Sequence, residues 1–178
     1  MKIIYIVKIS LWFQKVDPLI DEKKLKMISD LLKKKHKTIA TAESCTGGLI
    51  AHTFTNISGS SEYFDRGFIT YSNNAKIELL DVPRRLLEKH GAVSKEVAEA
   101  MAKGVRINSK VDIGISTTGI AGPTGGTIEK PVGLVYIAIS SDEKTVVKKL
   151  QFFGDRLQNK ENTCNASLQM LYDVIIKL

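Results

Sequence analysis

The stretch that most constrains this chain is Val111–Ser116 (VDIGIS), which is apolar throughout except for Asp112 near its start. A strand buried on one face alternates apolar and polar residues, whereas one buried on both faces reads as an unbroken apolar run. The segment therefore belongs inside a sheet with helices on both sides. Short strands are read at Lys37–Glu43 (KTIATAE), Arg66–Tyr71 (RGFITY), Leu134–Ser140 and Thr145–Phe153. Helical spacing recurs between them. From Pro18 to His36 it is carried by Leu25, Ile28, Leu31 and Leu32, with Pro18 in the first turn. Leu49–Asn56 forms a second helix, and Ser72 and Asn73 cap a third over Ala75–Leu80. Ser94 opens a fourth with Val97, Ala98, Met101, Ala102 and Val105 on one face, and Asp155 caps a last one striped by Cys164, Leu168, Leu171, Ile175 and Leu178. Strands alternating with helices define an α/β domain with a mostly parallel or mixed sheet covered on both faces.

No repeat, low-complexity tract or Pro/Gly/Ser linker divides the 178 residues, so residues 18–178 are expected to form one domain. Residues 1–17 precede it as an N-terminal extension of unknown role, apolar and β-branched enough for an extra strand. Its apolar core, Ile3–Phe13, is broken by Lys8 and falls far short of the ~20 residues a spanning helix needs. It also lacks a small-residue cleavage site, so no membrane association and a cytoplasmic location are expected. Cys45 and Cys164 make neither a disulfide framework nor a zinc set, and His36, His52 and His90 lack ligand spacing. No metal and no cofactor are expected.

The formal net charge of +7 points toward nucleic acid until its location is examined. Residues 1–37 hold ten lysines against four acids, and the remaining residues carry sixteen basic against fifteen acidic side chains. Nucleic-acid surfaces interleave arginine and stacking aromatics over the binding face. Here the excess is lysine on the polar face of one helix, which reads as a solvated face, and no nucleic-acid partner is expected.

Ligands in open α/β sheets bind beyond the carboxyl ends of the strands, and three candidate segments fall there. In Ser44–Gly48 (SCTGG), Ser44 sits between a strand and a helix start. Thr46, Gly47 and Gly48 offer a hydroxyl and close backbone approach for an anion or oxyanion. Cys45 competes as the nucleophile, because helix N-termini lower thiol pKa values. In Tyr71–Lys76 (YSNNAK), Lys76 lies in the first turn of a helix, where the macrodipole should lower its pKa toward that of a base. In Gly119–Gly133, Thr118, Gly119 and Gly122 offer hydroxyl and N–H groups, although neither a Walker A loop nor G-x-G-x-x-G is present. Arg156, at a strand-to-helix junction, is placed for a phosphate or carboxylate. Taken singly, these segments read equally as a helix cap, an exposed lysine, a structural loop and an ion pair with Asp155. Their convergence at strand ends is the signal.

Six blocks in this order resemble a known family: Thr41–Gly48 (TAESCTGG), Gly59–Lys76 (GSSEYFDRGFITYSNNAK), His90–Ser94 (HGAVS), Gly119–Gly126 (GIAGPTGG), Lys130–Gly133 (KPVG) and Gly154–Arg156 (GDR). They look like the C-terminal domain of the CinA proteins, a domain that is also the stand-alone nicotinamide mononucleotide deamidase, and the likeness runs from about residue 19 to the C-terminus. The resemblance implies a three-layer α/β/α sandwich and a homodimer. It implies hydrolysis of nicotinamide mononucleotide to nicotinate mononucleotide and ammonia in pyridine-nucleotide salvage. It also implies Ser44 as nucleophile, Tyr71 and Lys76 as its base, and Arg156 as a substrate-binding residue. Lys160 stands where members often carry a second arginine.

The expected chemistry is an acyl-enzyme route. Lys76, helped by Tyr71, takes the Ser44 proton, and N–H groups near Gly47 and Gly48, or near Thr118 and Gly119, hold the oxyanion. Two alternatives stand beside it: a non-catalytic nucleotide-binding module associated with competence or DNA damage, and a thiol hydrolase built on Cys45.

Overall fold

The computed structural model describes residues 20–178; the expected extension over residues 1–17 and the helix entry at Pro18 lie outside them. Helix α1 (Glu22–Lys34) starts where the Asp21 side chain accepts the Lys24 N–H at 2.9 Å. The chain continues through β1 (Ile39–Glu43), α2 (Leu49–Thr55), a 3₁₀ turn at Ser60–Glu62, β2 (Phe64–Ile69), α3 (Asn73–Leu80) and α4 (Arg84–His90). It ends with α5 (Lys95–Ser109), β3 (Ile113–Gly119), β4 (Leu134–Ser140), β5 (Thr145–Gln151) and α6 (Arg156–Ile175).

The five strands form one sheet in the order β2-β1-β3-β4-β5. β1 runs parallel to β2 and to β3, because helical crossovers join them. β4 runs antiparallel to both β3 and β5, and a short turn over residues 141–144 joins it to β5. The sheet is thus mixed. The chain leaves β1 toward β2 on one side and returns to β3 on the other, so β1 and β3 flank a topological switch point.

Burial follows the three layers. Leu25, Ile28 and Leu32 of α1, Ile50 and Phe54 of α2, and Leu168, Leu171 and Ile175 of α6 pack on Ile39, Ile113, Ile115, Ile137 and Ile139 of the sheet. On the opposite face Leu80, Leu87, Val97, Met101 and Val105 of α3–α5 pack on Ala40 and Ala42. The change of face from Ile39 to Ala40 shows β1 buried on both sides. α5 lies very close to β3, and a Cβ on Gly114 would sit 2.2 Å from the Ala102 carbonyl oxygen.

Several elements depart from expectation: β1 starts at Ile39 rather than Lys37, and β5 ends at Gln151 rather than Phe153. α4 lies in a stretch with no assigned element. β2 ends at Ile69 rather than Tyr71, although Thr70 N–H still donates to Glu43 O at 2.8 Å. β3 continues past Ser116 to Gly119, because its polar side chains find buried partners. Ser116 Oγ donates to Ala98 O at 2.6 Å, Thr117 pairs with Thr46 at 2.8 Å, and Thr118 Oγ1 donates to Ala92 O at 2.8 Å. Among the described residues, no helix is long and apolar enough to cross a membrane, and no cluster of metal-ligating side chains occurs.

Candidate active site

Ser44 is the first residue beyond β1, and its N–H donates to Thr117 O at 3.0 Å, continuing the β1–β3 ladder by one bond. Its hydroxyl meets Lys76, which α3 carries at the end of its first turn. Ser72 starts that helix by accepting the Ala75 N–H at 3.0 Å. Helical side chains lean toward the N-terminus, and this tilt carries Lys76 back under the β2–α3 turn. Its Nζ donates to Thr70 O at 2.7 Å and Tyr71 O at 3.4 Å, and lies 3.2 Å from Ser44 Oγ.

Lys76 is 1% exposed, and no carboxylate pairs with it among the described residues. Burial lowers its pKa to about 8, because the charged form loses its hydration. The downward direction matches the sequence reading, but the cause is desolvation rather than the helix macrodipole. A neutral amine held here can direct its protons at the two backbone carbonyls and its lone pair at the serine hydroxyl.

Cys45, next in sequence, is buried in the α1/α2/α6 core, although it also borders the cavity beside Ser44. Burial pushes its thiol pKa up to about 12, so the expectation of an activated thiol is corrected. Desolvation outweighs the helix terminus, and the side chain remains a protonated thiol.

Tyr71 is 61% exposed, and its hydroxyl accepts from Arg156 Nη2 at 3.0 Å. Arg156 Nη1 donates to Gly122 O at 2.8 Å. The tyrosine hydroxyl thus serves Arg156, and its contact with Lys76 is made through the backbone carbonyl. Buried Asn159 fixes this corner, donating to Ala121 O at 3.0 Å and Gly154 O at 2.9 Å while accepting Gly154 N–H at 3.0 Å. It ties the loop after β3 to the turn before α6.

Three amides at the N-terminus of α2 are already engaged, contrary to expectation. The buried carboxylate of Glu43 accepts N–H groups from Gly48 (2.9 Å), Ile50 (3.1 Å) and Ala51 (2.8 Å). Those amides already hold a negative group, so Gly48 has no N–H left for substrate. Thr46 is buried with its hydroxyl paired to Thr117.

A cavity of about 210 Å³ opens at this point. Of the residues singled out in the sequence, Ser44, Cys45, Tyr71, Lys76, Thr118, Gly119 and Arg156 line it; Thr46, Gly47, Gly48 and Gly122 do not. Ala92, Val93 and Ala121 also line it; they lie in the HGAVS and GIAGPTGG blocks but were not singled out as site residues. Ala92 and Val93 lie just before the α5 cap Ser94, and that turn and the HGAVS block were their signals in the sequence. A larger groove of about 470 Å³ between α3, α4 and α5 lies away from Ser44 and Lys76.

Fold and site together define an α/β/α domain with a buried serine–lysine pair at the switch point of a mixed sheet, beside an arginine at the mouth of the pocket. The chain belongs to the CinA C-terminal domain family, whose model matches residues 21–175. It is 51% identical over 150 residues to a putative competence-damage inducible protein of Caldicellulosiruptor bescii, covering 84% of this chain and 36% of that protein. It is 52% identical over 145 residues to a CinA-like protein of Geotalea daltonii, covering 82% and 35%. The chain therefore spans about a third of the length of the curated relatives it matches. Among solved structures, competence/damage inducible protein CihA from Agrobacterium tumefaciens superposes with a TM-score of 0.84 at 39% identity, covering 85% of this chain and 93% of that one. A CinA superfamily protein from Klebsiella pneumoniae gives 0.84 at 27% identity, covering 88% and 98%.

Proposed function

We propose that this chain is an amidohydrolase that converts nicotinamide mononucleotide to nicotinate mononucleotide and ammonia. The observation that carries the reading is the buried Lys76, its pKa lowered to about 8, with Nζ 3.2 Å from Ser44 Oγ. A module that only binds nucleotides has no use for a desolvated amine beside a serine, whereas a nucleophile needs a base of this kind.

In this reading Ser44 Oγ attacks the carboxamide carbon while its proton passes to neutral Lys76. The carbonyl electron pair moves onto oxygen and then returns, expelling ammonia protonated by Lys76. Water attacks the acyl-enzyme with Lys76 again taking the proton, and nicotinate mononucleotide leaves as Ser44 is restored. The cavity is smaller than the ~300–1,000 Å³ of a pocket for a whole ligand, so it suits the ring and its carboxamide. Ribose and phosphate then lie at the mouth, where Arg156 uses two of its five N–H donors on Gly122 and Tyr71 and keeps the rest.

Ammonia release from nicotinamide mononucleotide by the purified chain, without added metal and beside Ser44→Ala, tests this. Release that disappears in the variant is expected. A folded wild type that releases none rejects the substrate, and a variant that keeps wild-type turnover rejects the nucleophile. We propose in addition that the chain is a cytoplasmic homodimer, which sedimentation equilibrium would check for its assembly.

A further inference from the structure

Along a strand, backbone N–H and C=O groups address one edge and then the other, residue by residue. On the β1 side of β3, Ile113 N–H donates to Thr38 O and Thr117 O accepts Ser44 N–H, both at 3.0 Å. On the β4 side, Ile120 N–H donates to Leu134 O at 2.9 Å. Odd-numbered residues of β3 therefore face β1, and even-numbered ones face β4. Gly119 is the last residue of β3, whereas β1 stops at Glu43, opposite Thr117. The next acceptor in the ladder would be Ser44 O, but the chain turns away and that bond is not made among the described residues. Gly119 N–H therefore points past the end of β1 into the cavity it lines with Ser44 and Lys76. A side chain is barred there, since a Cβ would stand 2.6 Å from Leu134 O.

We propose that the Gly119 N–H, and not the N-terminus of α2, binds the substrate's carbonyl oxygen and stabilises the oxyanion. The inference rests on the serine reading above. As Ser44 Oγ bonds to the carbonyl carbon, the π pair moves to oxygen and the hydroxyl proton passes to Lys76 Nζ. The new charge then meets a donor that is fixed in a strand and needs no reorganisation. Glu43 is the complementary positioning residue. By occupying the amides of Gly48, Ile50 and Ala51, it removes those three donors from competition and holds the turn that presents Ser44.

Replacing Gly119 by glycolic acid exchanges this N–H for an ester oxygen and adds no side chain. The turnover number on nicotinamide mononucleotide should fall by roughly 10²–10³-fold with little change in KM; unchanged turnover overturns the proposal. A second measurement needs no variant: the crystal structure of the wild-type chain with Ser44 modified by an alkyl fluorophosphonate. The phosphoryl oxygen should lie about 2.7–3.1 Å from Gly119 N. An adduct whose oxygen turns to a different donor overturns the proposal and leaves the serine reading standing. Failure of Ser44 to form any adduct, together with no amide hydrolysis, overturns both.

Discussion

Ser44 Oγ and Lys76 Nζ lie 3.2 Å apart although thirty-two residues separate them in the chain. One follows the interior strand β1 and the other rides on the first turn of a helix after the edge strand β2. The sheet holds both ends rigidly: Thr70 N–H bonds to Glu43 O at 2.8 Å, immediately before Ser44, and Thr70 O in turn receives the Lys76 ammonium or amine at 2.7 Å. The Ser44 hydroxyl and the Lys76 amine are thus referenced to the same pair of strands.

Activity should depend on the neutral form of Lys76. With its pKa lowered to about 8, kcat/KM should rise with pH and level off above that value, since the free enzyme's base is what such a profile reports. Lys76→Arg should abolish turnover at every pH tested, because guanidinium does not deprotonate. A flat profile between pH 6 and 9 would remove Lys76 from the base role.

The same lysine should cost stability. Its folded pKa lies below the unfolded value, so unfolding takes up a proton between about pH 8 and ~10.4, and stability rises with pH across that window. Lys76→Met removes the penalty but leaves the Thr70 carbonyl without its donor. The net expectation at pH 7 is a gain on the order of 1–2 kcal/mol, with a Tm raised at pH 7 that drops below wild type near pH 11, where only the lost hydrogen bond remains. Thermal melts at the two pH values decide it, and a lower Tm at pH 7 would contradict the account.

Cys45 should be inert in the native protein. Its thiol is buried and its pKa is pushed up to about 12, so iodoacetamide should label it only after unfolding. Cys45→Ala should retain turnover within a few-fold and lose about 1 kcal/mol of stability through the small void it leaves. Rapid inactivation of the wild type by the reagent would revive a thiol mechanism.

Arg156 should act on binding rather than on the chemical step. Arg156→Ala frees Tyr71 and Gly122 of their donor and removes the cation at the pocket mouth. KM for the nucleotide should rise by at least about tenfold, the equivalent of ~1.4 kcal/mol, with kcat little changed. Free nicotinamide, which lacks the phosphate, should show no such difference between variant and wild type. A fall confined to kcat would instead place Arg156 in catalysis.

The layered α/β plan was legible because it depends on local pattern. The unbroken apolar run at Ile113–Ile115, the helical stripes of α1, α5 and α6, and the caps Ser72, Ser94 and Asp155 are properties of neighbouring residues. The cluster of chemistry at strand ends was legible for the same reason, since Ser44, Tyr71 and Lys76 each sit at a recognisable junction. The end of β3 was not. Thr117 and Thr118 read as loop residues until Thr46 and the Ala92 carbonyl, distant in sequence, satisfy their hydroxyls.

What the sequence determined alone was therefore the fold class, the family and a set of candidate positions at the strand ends. Tertiary structure decided the state of each group. It buried Lys76 enough to lower its pKa and Cys45 enough to raise its own. It spent the α2 amides on Glu43 and turned the Tyr71 hydroxyl toward Arg156. These outcomes depend on hydration lost and on which donors meet which acceptors across the sheet, and both are set by three-dimensional neighbours that adjacent residues do not specify.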